Sequence, residues 1–104
     1  MKLSVNGEGG IRSYDLPDGS CALTLGRHSD CDIILSSGDV SRHHAKLIVA
    51  NGMYFIEDMG STSGTFLNGE KVESATQVEE GQEIQIGSFV LSHHARIFSI
   101  VSSL

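Results

Sequence analysis

Two arginines, a run of hydroxyls and a set of glycines dominate the chemistry available to this chain. Arg27 follows Gly26. Arg42 sits inside Ser41-Arg42-His43-His44. The stretch Gly60-Ser61-Thr62-Ser63-Gly64-Thr65 packs hydroxyls between two glycines. A guanidinium is a permanently charged, forked donor that matches the oxygens of a phosphate. Ser41, Ser61, Thr62 and Ser63 add hydroxyl donors, and Gly60 and Gly64 let backbone N–H groups approach a ligand closely. Brought together, these groups make a cradle for an anion. A phosphorylated side chain, with about −1.5 to −2 charges and three strong acceptor oxygens, suits such a cradle.

Other chemistries fit these residues less well. The glycine-rich stretch resembles a nucleotide-binding P-loop only loosely, because no lysine follows its glycine and no helical pattern starts there. Ser41 and His44 lie three residues apart around a strand start, which is poor geometry for a nucleophile and its base. No Gly-x-Ser-x-Gly elbow occurs. No catalytic residue is assigned, and the chain is not expected to be an enzyme. His43-His44 and His93-His94 are adjacent pairs, and neighbours on a strand point to opposite faces. They read as surface or loop-packing histidines, so no metal or cofactor is expected. The plain alternative for Arg27 is a surface arginine paired with Asp30 or Asp32.

Composition narrows the partners. The 104 residues fit one domain spanning 1–104. With 13 acidic against 7 basic residues, the formal net charge is −6. Sequence-independent nucleic-acid binding needs a basic footprint, and so does docking on anionic lipid. Neither is expected here. An anionic ligand must be held by a local cluster working against the overall field. Cys21 and Cys31 fit neither a redox pair nor paired zinc ligands, and read as reduced, partly buried residues. No stretch approaches the roughly 20 apolar residues that span a bilayer. The opening residues lack the apolar run of a secretory leader. A cytoplasmic location is expected.

The polar groups must be positioned by short strands. Twelve glycines and one proline imply many tight turns. Apolar residues recur at period two, the strand signature, and no window sustains a 3.6-residue period. Strands are expected around Leu3 and Val5, over 11–16, 21–25 and 32–35, and from Ala45, with Ala45, Leu47 and Val49 on one face. Further strands are expected over 53–58, 65–67, 70–72, 82–86, 88–92 and 95–101. Pro17-Asp18-Gly19 is a turn, since proline presets φ and glycine tolerates positive φ. Asn51-Gly52 and Asn68-Gly69 are hairpin turns. Evenly spaced short strands predict a β-sandwich, whose loops gather at its two ends. Arg27, Ser41-Arg42 and Gly60–Thr65 all lie at strand ends.

At these residues the sequence resembles the forkhead-associated (FHA) domain family. The matching motifs are Gly26-Arg27; Ser41-Arg42-His43-His44-Ala45; Asp58-Met59-Gly60-Ser61-Thr62-Ser63-Gly64-Thr65-Phe66-Leu67-Asn68-Gly69; and Gly81-Gln82-Glu83-Ile84-Gln85-Ile86-Gly87. They occur in order, and the match runs from roughly Leu3 to Val101, essentially the whole chain. The resemblance implies an all-β, eleven-stranded, antiparallel-rich sandwich of the FHA/SMAD-like kind, with binding loops at one end. It implies an adaptor module that reads phosphothreonine in partner proteins of a Ser/Thr kinase pathway. Arg27 and Ser41 would then bind phosphate oxygens, Thr62 would supply a second hydroxyl, and Arg42 would add a contact. Gly26, His44, Gly60, Gly64 and Asn68 would support the binding loops, and a small pocket would receive the threonine γ-methyl. Ser63 stands where the family commonly has an asparagine that holds the peptide backbone, and serine lacks an amide's paired donor and acceptor. The competing implication is a structural scaffold of this fold, as in some secretion systems, that no longer reads phosphate. Such domains usually lose the arginine and serine that this chain keeps.

Overall fold

The computed structural model describes residues 2–7, 9–17 and 19–94. Among them are eleven strands and no helix: β1 (Lys2–Gly7), β2 (Gly10–Asp15), β3 (Cys21–Gly26), β4 (Ile33–Ile34), β5 (Ala45–Ala50), β6 (Met53–Asp58), β7 (Thr65–Leu67), β8 (Glu70–Lys71), β9 (Thr76–Val78), β10 (Ile84–Ile86) and β11 (Phe89–His94). They form two sheets, ordered β2-β1-β11-β10-β7-β8 and β4-β3-β5-β6-β9. Every pairing is antiparallel except β3 with β4. The all-β, antiparallel-rich sandwich is therefore present.

The core follows from the alternation in the sequence. Leu3 and Val5 of β1, Ala45, Leu47 and Val49 of β5, Ile56 of β6, Ile84 and Ile86 of β10 and Leu91 of β11 are all buried. Burying one such aliphatic side chain contributes about 1.5–3 kcal/mol. Asn51 and Asn68 take positive φ values of 51° and 47°, each followed by a positive-φ glycine. This is the backbone that a two-residue hairpin turn demands. It closes β5 on β6 and β7 on β8 in register.

Several boundaries differ from the sequence reading. β9 carries no sequence signal of its own: it has three residues and one buried side chain, Val78, too few for a period to register. β10 starts at Ile84 rather than at residue 82, because Gln82 is spent in a turn where its N–H donates to the Glu79 carbonyl at 3.1 Å. β2 is an edge strand, and its Ile11 is 72% exposed. Asp18 of the first turn and the strand expected over 95–101 lie outside the described residues. No helix among the described residues is long and apolar enough to cross a membrane. Cys21 and Cys31 are free thiols, half-buried and buried respectively.

Register places the loops. Leu25 pairs with Ala45, and Ala45 pairs with Asp58. These three residues form one row across β3, β5 and β6. The loops that follow Gly26, precede Ala45 and follow Asp58 therefore leave the sheet at the same end.

Candidate functional site

Gly26 brings the first two of these loops together. A Cβ on Gly26 would lie 2.1 Å from the Arg42 carbonyl oxygen, so only glycine permits this approach. The close pass is laced by backbone bonds. Arg27 N–H donates to the Ser41 carbonyl at 3.1 Å, His28 N–H to the Arg42 carbonyl at 3.2 Å, and His44 N–H to the Leu25 carbonyl at 2.9 Å. Arg27 Nε also donates to the Val40 carbonyl at 3.0 Å.

His44 brings in the third loop. It is fully buried. Its Nδ1 accepts from the Ser41 N–H at 3.0 Å, which leaves the ring proton on Nε2 to donate to the Gly64 carbonyl at 2.8 Å. Gly64 presents that carbonyl from a backbone with φ of 90°. Ser41 Oγ accepts from the Thr62 N–H at 3.1 Å, a second tie between the same loops. Ser63 Oγ donates to the Asp39 carbonyl at 2.9 Å, a third. Both nitrogens of His44 are thus committed elsewhere than Ser41 Oγ, so no nucleophile–base pair exists here.

Asp58 organises the third loop internally, a role the sequence reading did not assign. Its Oδ2 accepts from the N–H groups of Gly60 (3.0 Å) and Ser61 (2.9 Å). Its Oδ1 accepts from Ser61 Oγ (2.5 Å) and Thr65 Oγ1 (2.7 Å). Ser61 Oγ in turn accepts from the Gly64 N–H at 2.9 Å. Burial pushes the Asp58 carboxyl up, but the hydrogen bonds from Ser61 and Thr65 outweigh it and hold the group below the usual carboxylate range. The available signal was an aspartate followed by hydroxyls three and seven residues on, in the manner of an Asx-type turn.

Arg27, Ser41, Arg42, Thr62 and Ser63 line one open depression of about 370 Å³, together with Gly38, Asp39 and Val40. All five residues expected to touch ligand are thus gathered at one place. Gly26, His44, Gly60 and Gly64 stand behind or beside it. Asn68 stands apart: it exchanges hydrogen bonds of 2.8 Å with Glu83 and ties the β7–β8 turn to the approach of β10 instead. Among the described residues neither Arg27 nor Arg42 is in an ion pair. The carboxylates nearest Arg27 in sequence are engaged elsewhere. Asp30 is bonded by His28 and His43, and Asp32 by the N–H and hydroxyl of Thr24. The hydrogen bond from His43 holds the Asp30 carboxyl below its usual range. A second depression of about 420 Å³ shares Asp39 and Ser63 and continues over Phe66, Gly69, Gln85 and Gly87. Two guanidinium groups with hydroxyl donors on a concave surface can hold a doubly charged anion, and the adjoining groove can take the chain that carries it.

The architecture and this groove define a β-sandwich with a loop-built depression, lined by two arginines, at one end. The chain belongs to the FHA domain family, whose model matches residues 23–87. It is 46% identical over 68 residues to the glycogen accumulation regulator GarA of Mycolicibacterium smegmatis, covering 65% of this chain and 42% of that relative. The chain thus spans less than half of that protein's length. In fold it is similar to EmbR of Mycobacterium tuberculosis, solved in complex with a low-affinity phosphopeptide. There the TM-score is 0.72 at 30% identity, over 91% of this chain and 26% of that one. It is also similar to an FHA domain solved in a study of phosphothreonine-dependent interactions, with a TM-score of 0.75 at 25% identity over 92% of this chain and all of the other.

Proposed function

We propose that this chain is a phosphothreonine-peptide-binding adaptor module in protein–protein signalling, with residues 1–104 forming one domain. The observation that carries the reading is the convergence of Arg27, Ser41, Arg42 and Thr62 on a single depression in which neither arginine has an acidic partner among the described residues. The phosphopeptide complex of EmbR supports it.

In this reading Arg27 and Ser41 contact phosphate oxygens, and Thr62 and Arg42 add donors. Hydrogen bonds to charged groups contribute roughly 1.5–3 kcal/mol each. Three or four of them, less the cost of ordering the peptide, suit a transient affinity near micromolar. Ser63 spends its hydroxyl on Asp39, so the backbone clamp usual in the family is weaker here. The partners are phosphothreonine proteins of a Ser/Thr kinase pathway, met in the cytoplasm. The module works by binding alone, without turnover, metal or cofactor in that act. Chemical-shift mapping with a phosphothreonine peptide tests the location. Perturbations should centre on the amides of residues 27, 41–42 and 61–63. Perturbations confined to the edge strands β2 or β9 would oppose the assignment.

A further inference from the structure

A second constellation lies outside the groove. His28 and Asp30 come from the loop after β3, and His43 from the loop before β5. His28 Nδ1 lies 2.7 Å from Asp30 Oδ1, and His43 Nε2 lies 2.9 Å from the same oxygen. The two imidazole rings stack at 5.5 Å with an interplanar angle of 26°. All three side chains are exposed, and their ligand atoms lie within 4.8 Å of one another.

We propose that His28, Asp30 and His43 form a surface site for one divalent transition-metal ion of the zinc class. The donor set selects the class. Two imidazole nitrogens and one carboxylate suit Zn²⁺, Ni²⁺ or Cu²⁺, whereas Mg²⁺ and Ca²⁺ take oxygen ligands. The spacing suits it as well. Tetrahedral zinc with bonds of about 2.0–2.1 Å separates its donor atoms by about 3.3 Å. The observed 2.7 and 2.9 Å must open by about half an ångström, and the two imidazole nitrogens, within 4.8 Å of each other, must close by up to about 1.5 Å, which exposed side chains achieve by rotation. Water completes the coordination shell from the solvent side.

The local bonding also favours an ion. His28 Nδ1 faces the Asp30 carboxylate at 2.7 Å and the Asp30 N–H at 3.1 Å. Protonated, this nitrogen opposes the N–H; unprotonated, it opposes the carboxylate. A cation between the ligand atoms removes the second conflict: the single lone pair of His28 Nδ1 turns from the Asp30 N–H to the ion, and lone pairs on all three ligands then point at positive charge. The ligands come from two loops that are joined by the His28 N–H to Arg42 carbonyl bond. An ion here would therefore staple together the two segments that carry Arg27 and Arg42. Adjacent-histidine logic misses the site, because His43 finds its partners fifteen and thirteen residues upstream and not in His44.

The test is calorimetric titration of the untagged chain with zinc chloride in a phosphate-free buffer, without peptide. One ion should bind per chain, and Mg²⁺ should give no such binding. H28A, D30N and H43A should each weaken zinc by at least tenfold, in line with the 10–100-fold that even outer partners contribute. H94A should bind as wild type. Zinc at ~100-fold above the wild-type Kd should raise the wild-type melting temperature by roughly 10 °C and that of H43A by no more than about half as much. Metal-free melting curves establish that the variants fold. Absence of one-to-one binding, or unchanged binding in both H28A and H43A, would overturn the proposal.

Discussion

Arg27 and Val40 are joined by a 3.0 Å hydrogen bond from the guanidinium Nε to the main-chain carbonyl. The Arg27 N–H is held at the same time by the Ser41 carbonyl at 3.1 Å. The residue is thus fixed at both ends of its side chain, and its two Nη groups are left for the groove it lines. Pre-orientation of this kind lowers the ordering cost of binding.

A lysine at this position keeps the charge and loses the arrangement. An ammonium has no fork and cannot both anchor on Val40 and present two parallel donors. R27K should therefore bind a phosphothreonine peptide at least ~10-fold more weakly, about 1.4 kcal/mol, with an almost unchanged melting temperature. Calorimetry and thermal melting of the same samples check this. Wild-type affinity in R27K would show that net charge alone suffices.

Asp58 makes stability depend on pH in a defined direction. Its carboxyl is held below its usual range when folded, so it stabilises the fold above the unfolded value near 3.9. That contribution is lost as pH falls through the lower, folded value. D58N should be less stable than wild type at pH 7 by about 1.5–3 kcal/mol, with the gap narrowing below pH 4. Urea unfolding at several pH values measures it. A gap that is constant with pH would contradict the assigned role.

Gly26 should be intolerant of the smallest change. The Cβ of G26A meets the Arg42 carbonyl at 2.1 Å and the Cys31 Sγ at 3.1 Å, and the first of these is backbone that cannot swing aside. A cost of about 1–3 kcal/mol is expected, with weaker peptide binding because the Arg27 and Arg42 segments are forced apart. A shifted urea midpoint at unchanged slope is the readout. Wild-type stability in G26A would refute this close approach.

Much of this was legible in the sequence, for local reasons. β5 and β6 declare themselves because Ala45, Leu47 and Val49 alternate up to an Asn-Gly turn, a signal contained within a dozen residues. The groove residues were legible because their chemistry is carried by residue type, and strand ends are where loops gather. What was hidden depends on distance. Lys2 pairing with His94, which builds one sheet, joins residues from opposite ends of the described chain, and no local period encodes it. β9 has too few residues to carry a pattern. The Ser63 to Asp39 bond and the meeting of His28, Asp30 and His43 arise only once two loops are brought side by side. Asn68 shows the converse: its motif position suggested a support of the binding loops, and its bonds go to Glu83.

The most direct test of the central claim is a calorimetric titration with three peptides of one sequence, carrying phosphothreonine, phosphoserine or unmodified threonine. The phosphothreonine peptide should bind near micromolar, about −8 kcal/mol. The phosphoserine peptide, lacking one methyl worth about 0.8 kcal/mol when buried, should bind at least roughly fourfold more weakly. The unmodified peptide should not bind, and R27A should abolish binding of both phosphopeptides. Equal affinity for the three peptides, or an R27A variant that binds as wild type, would contradict the account.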